Sequence, residues 1–169
     1  MKPAVLAAYV AQNLDLAWVL DDGQQRLLLG LRPDAFDDDR GVWGIVLAQT
    51  YALRGDQARP AIYADSARSL MRSSCATRQT RRGHVFLGLA LAYMGRKADA
   101  VRERQRGLAL MPVAKDARVG PYIQHQLARI YILVGEPEKA LDQLGPRGEA
   151  PGSWSRDLPC DTQLSVEPP

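Results

Sequence analysis

"LGLALAYMGRKADAV", Leu87 to Val101, contains no His, Cys, Ser or Thr. The residues it does contain are suited to packing. Related wording stands before and after it, "LAQTYALRGDQARPA" from Leu47 and "LARIYILVGEPEKAL" from Leu127. Gly55, Gly95 and Gly135 recur with a period of 40 residues. In the same register stand Leu47, Leu87 and Leu127, then Ala48, Gly88 and Ala128, then Tyr51, Leu91 and Tyr131. Ala100 and Ala140 each follow their glycine by five.

A large residue, a small one, and a Tyr or Leu three further on share one face of a helix. The small residue lets a second helix come close. The glycine ends the first helix, where its tolerance of positive φ is useful. Asp56, or Glu136 followed by Pro137, then starts the next helix, since Pro suits a first turn. Each unit reads as a helical hairpin that cannot bury its apolar stripe alone, so neighbouring units must stack.

The stretch "HVFLGLALAYMGRKADAVRERQRGLALMP" resembles the tetratricopeptide repeat. Leu87, Gly88, Leu91, Gly95, Ala100, Leu108 and Pro112 fall where that family places its large, small and closing residues. Arg104 stands where an aromatic is usual, Gly107 where Ala is usual, and Pro60 at an Ala position of the preceding unit. The period departs from the family's roughly 34 residues, which implies longer connections between hairpins. The resemblance covers about Gly41 to Leu144. The wording of "GPYIQHQLARIYILVGEPEKALDQL" is also similar to repeat regions at the C-terminal end of bacterial multidomain regulators.

The expected fold is therefore all-α: stacked antiparallel helical hairpins in a tetratricopeptide-like α-solenoid, with three recognisable repeats and a degenerate N-terminal hairpin. Helices are predicted at about Pro3–Leu20, Gln24–Leu31, Arg40–Arg54, Gln57–Arg72, Gly83–Met94, Lys97–Leu110, Gly120–Val134 and Pro137–Leu144. One aspartate of the acidic connector "RPDAFDDDR" is expected to cap the helix entering "GVWGIVLAQTYAL". "MRSSCATRQTRRG", Met71 to Gly83, is Arg- and Ser-rich without an acid and reads as a loop. The expected domain is residues 1–144, followed by an irregular Pro- and Gly-rich tail over 145–169.

The chain has 169 residues, enough for one domain or a short array. Hydrophobic residues make up 46% and charged residues 24%, the ordinary balance of a soluble protein. A net charge of +3 does not itself imply a nucleic-acid partner. The charge is unevenly spread: Met1 to Arg40 holds four basic and seven acidic residues, and Cys75 to Arg118 holds ten basic and three acidic. The plain reading of the basic stretch is a solvated helix surface. Cys75 and Cys160 form no CxxC pair or zinc spacing and read as free thiols. Gln12, Asn13 and Asp15 break the apolar N-terminal run, and no stretch approaches 18 apolar residues. A cytoplasmic location with no membrane partner is the expectation.

No H-E-x-x-H, G-x-S-x-G, P-loop or dinucleotide fingerprint occurs, and neither a cofactor nor a metal is expected. His84 and His125 are the two histidines, and each reads first as a surface or packing residue. The family resemblance implies that the first helix of each hairpin lines a concave groove. Its inward positions would include Ile45, Gln49 and Ala52, then Val85, Leu89 and Tyr93, then Tyr122, His125 and Arg129. Such a lining suits an extended peptide or a helix with apolar anchors and an acidic group near Arg129. The expected function is a protein–protein interaction scaffold, without catalysis, that binds a peptide or helix through Gln49, Leu89, Tyr93, Tyr122, His125 and Arg129. Two alternatives are a small ester or lactone hydrolase with a site in the groove, and a nucleic-acid binder using Arg72, Arg78, Arg81, Arg82 and Arg96. A homodimer through an uncapped end of the array is a further expectation, because the first helix is apolar on more than one stripe and the last is short.

Overall fold

The computed structural model describes residues 2–13, 16–77, 81–110 and 120–144. Within them the chain forms eight α-helices, two short 3₁₀ turns and no strand. The helices are α1 Pro3–Asn13, α2 Asp22–Leu29, α3 Arg40–Leu53, α4 Arg59–Thr77, α5 Arg81–Tyr93, α6 Lys97–Leu110, α7 Gly120–Leu133 and α8 Pro137–Leu144. The tail from residue 145 onward, with Cys160, lies outside the described residues.

Three helix pairs share one closing device. Gly55, Gly95 and Gly135 have φ of 76°, 72° and 82°. After α3, the Gly55 amide donates to the Ala52 carbonyl at 3.0 Å and the Asp56 amide to the Tyr51 carbonyl at 3.0 Å. After α5, Gly95 donates to Ala92 and Arg96 to Leu91; after α7, Gly135 donates to Ile132 and Glu136 to Tyr131. This is the Schellman arrangement, which pairs otherwise orphaned terminal carbonyls. A side chain with a Cβ would be strained at each of these left-handed positions. The short reversals let α3 pack on α4, α5 on α6, and α7 on α8. Successive pairs also touch, through α4 with α5 and α5 with α7.

Helix starts follow the sequence as closely. Asp39 Oδ1 accepts the Val42 amide at 2.9 Å and caps α3, as expected of the acidic connector. Asp56 Oδ1 accepts the amides of Ala58 and Arg59, both at 2.9 Å, ahead of α4. Asp21 and Gln24 form a reciprocal capping box at α2, at 2.8 and 3.0 Å.

The structure corrects two readings. The first helix stops at Asn13, and Ala17–Val19 forms a separate 3₁₀ turn rather than one helix to Leu20. "MRSSCATRQTRRG" is not a loop throughout: α4 runs on to Thr77 and α5 begins at Arg81. Met71 gives that extension a contact, since its Cε lies 3.5 Å from where a Cβ on Gly41 would stand.

The largest core cluster joins Ile45, Ala48, Ala64, Ala67, Leu87, Leu89, Leu91, Ile130 and Val134, so it runs through all three hairpins. A second gathers Ala7, Ala11, Leu20, Leu28 and Phe36 against Val46 and thereby fastens the N-terminal segment to α3. Trp43 closes that junction, its indole N–H donating to the Leu31 carbonyl at 2.9 Å. Full burial of a residue such as Leu89 stabilises the fold by about 2 kcal/mol.

Candidate functional site

The side chains Tyr122, His125, Arg129 and Ile132 follow at intervals of three and four, so they share one face of α7. His125 is exposed, Tyr122 and Arg129 are half-buried, and Ile132 is 58% exposed. One repeat earlier, Val85, Leu89 and Ala92 on α5 occupy the registers of His125, Arg129 and Ile132. There they are 0%, 0% and 6% exposed. The same helix face is thus fully covered in α5 and more exposed in α7.

Of the expected groove residues, the structure brings four to this region. Arg129 Nη2 donates to the Tyr93 hydroxyl at 2.7 Å, and Arg129 Nη1 donates to Gln126 Oε1 at 3.1 Å. This ties the end of α5 to the middle of α7. Tyr122 and His125 continue the face toward the start of α7. The other two are not available to a partner. Leu89 is 0% exposed and belongs to the main core, and Gln49 is 6% exposed. Ile45 and Val85 are buried as well, while Ala52 is exposed. The expected groove is closed along the middle of α3 and α5, because neighbouring helices cover those positions. Ile132 was missed, although its spacing from His125 and Arg129 was readable. At the same end, Leu141 is 56% exposed, while Ile130 and Val134 are 0% and 2% exposed.

A second polar group lies between α5 and α6. His84 Nδ1 is 2.7 Å from Glu103 Oε2, and Glu103 Oε1 accepts from Arg106 Nη1 at 2.6 Å. The His84 and Glu103 side chains are 12% and 9% exposed. An ionised carboxylate only accepts, so Nδ1 carries the hydrogen in this pair, and the other ring nitrogen is left for a different partner. His84 and Arg106, with Ala109 and Leu110, line a cavity of about 490 Å³. No Ser, Thr or Cys is among these lining residues. Among the described residues no three His, Cys, Asp or Glu side chains gather as a metal site.

Behind both groups sits a buried arginine. Arg104 is 3% exposed, its Nε donates to the Leu127 carbonyl at 3.2 Å, and it also bonds the Gln143 side chain. Burial pushes its pKa below the ordinary arginine value, and the neighbouring Tyr131 opposes that shift. No helix among the described residues is long and apolar enough to cross a membrane. No family model, curated protein or solved structure matches the chain.

Proposed function

We propose that the chain is a protein-interaction scaffold, built as a tetratricopeptide-like stack of three hairpins behind a degenerate N-terminal one. Its occupant is an amphipathic peptide or helix of a protein partner. The observation that carries this reading is the contrast between α5 and α7, where equivalent positions are buried in one and more exposed in the other. A partner helix along α7 would repeat there the cover that α5 already has. Ile132 and Tyr122 supply apolar anchors, and Arg129 supplies positive charge between them, so the ligand should place one acidic residue among apolar ones at helical spacing. Tyr93 holds the Arg129 side chain in place and limits the rotamer freedom lost on binding.

Random-peptide phage selection on the full chain tests this. The expected result is an enriched family with apolar residues at intervals of three and four and an acid between them. A Tyr93→Ala/Arg129→Ala chain that keeps its helicity by circular dichroism should fail to retain those phage. No enrichment, or equal retention by the double variant, contradicts the reading.

A second reading, a small ester or lactone hydrolase, has the His84–Glu103 pair beside its cavity in its favour. The carboxylate orients the ring so that Nε2 can take a proton from water. Turnover in a small-ester and lactone screen that disappears in His84→Ala would support it. Turnover that survives His84→Ala would exclude His84 as the base.

A further inference from the structure

We infer that the notch between α4 and α6 is a second docking site, and that it takes the carboxylates of an acidic segment of a protein partner. Arg68 and Arg72, one turn apart on α4, form one wall, and Arg96, just before α6, and Arg102 on α6 form the other. Leu87 and Leu91 of α5 make the floor and are 6% and 5% exposed. The notch encloses about 80 Å³.

Charge separates the four arginines. Asp99 accepts from both Arg96 and Arg102, and the hydrogen bond from Arg96 is the main reason its carboxyl is held below the ordinary aspartate value. Arg68 pairs with Asp65 at 2.7 Å. Glu103, also at the notch, is engaged by His84 and Arg106. Arg72 is exposed and forms no ion pair with a described residue. Its planar fork fits a carboxylate with two parallel hydrogen bonds. The leucine floor fits the methylenes that carry a glutamate head.

Phosphate chains fit less well. The basic groups are interrupted by Asp99 and Glu103, and among the described residues of the lining none is an aromatic on which a base could stack. The notch is also separate from the α7 face. Leu87 and Leu91 stand two residues from Leu89 and Tyr93, about 200° around α5. The inference therefore goes beyond the proposed function and can fail independently of it.

Fluorescence anisotropy with the full chain and a fluorescein-labelled hexaglutamate peptide tests it, beside a labelled thymidine oligonucleotide of equal charge. The peptide should bind more tightly than the oligonucleotide. Arg72→Glu should weaken peptide binding about tenfold or more, corresponding to one lost charge-assisted pair, with an unchanged melting midpoint. Arg32→Glu, at an exposed position before the second 3₁₀ turn, should leave binding unchanged. Four results would overturn the inference: no peptide binding, equal binding by Arg72→Glu, equal weakening by Arg32→Glu, or an oligonucleotide that binds as tightly as the peptide.

Discussion

The guanidinium carbon of Arg104 lies 4.0 Å from the centroid of the Tyr131 ring. The contact places a cation of α6 on a ring face of α7. Arg104 also supplies a donor for the Leu127 carbonyl. Arg104→Ala should destabilise the fold by about 2–3 kcal/mol, from the lost cation–π contact and the hydrogen bonds made beneath it. Arg104→Phe should lose less, since it keeps a flat partner for Tyr131. Urea denaturation of both variants checks the order. Equal midpoints for wild type and Arg104→Ala would mean that the contact is not structural.

Gly88 should tolerate no larger residue. A Cβ there would stand 2.9 Å from Ile130 Cδ1 and 3.2 Å from the Ala100 carbonyl oxygen. The isoleucine can shift, but the backbone carbonyl is held within α6. Gly88→Leu should therefore cost about 1–3 kcal/mol or more through overpacking. Thermal melting reads this directly, and an unchanged midpoint would place Gly88 away from the helix contact.

Gly95 should respond for a different reason. Nothing lies within 4 Å of a Cβ at this position, yet its φ is 72°. Gly95→Ala should cost about 1 kcal/mol from backbone strain alone, and Gly95→Asn less, because Asn enters the left-handed region more readily. Identical midpoints for the Ala and Asn variants would contradict a conformational origin.

Asp56 predicts a feature of acid unfolding. The Arg59 amide whose hydrogen it accepts is the main cause that holds its pKa below the ordinary aspartate value; burial opposes this, and the Ala58 amide and the Arg59 charge help. A carboxyl whose folded pKa is depressed contributes stability above its unfolded value and loses it as pH falls through the lower folded value. Asp56→Ala should lower stability at neutral pH and flatten the stability-versus-pH curve below about pH 4. Parallel curves for wild type and variant across that range would show that the cap does not titrate with folding.

Much of the architecture could be read from spacing because it is local. The glycines at 55, 95 and 135 end helices through contacts within six residues, and Asp39 caps α3 by accepting from the Val42 amide three residues on. The helical run through Met71–Thr77 was hidden by an Arg- and Ser-rich composition, which describes a solvent-facing helix as well as a loop. The site was only partly legible. Tyr93 and Arg129 were identified, but their hydrogen bond spans 36 residues and depends on how α5 crosses α7. The burial of Gln49 and Leu89 depends on neighbouring helices whose distances no local pattern encodes. The His84–Glu103 pair likewise joins two helices 19 residues apart.

Site-specific photocrosslinking in the source cell tests the central claim, that a protein partner covers the open face of α7. A photoreactive phenylalanine derivative is placed at His125 in one chain and at Ile62, exposed on α4, in another. The account predicts a discrete protein adduct from position 125, reduced when Tyr93→Ala and Arg129→Ala are added, and no such adduct from position 62. An adduct of the same protein and yield from both positions, or none from position 125, would contradict it.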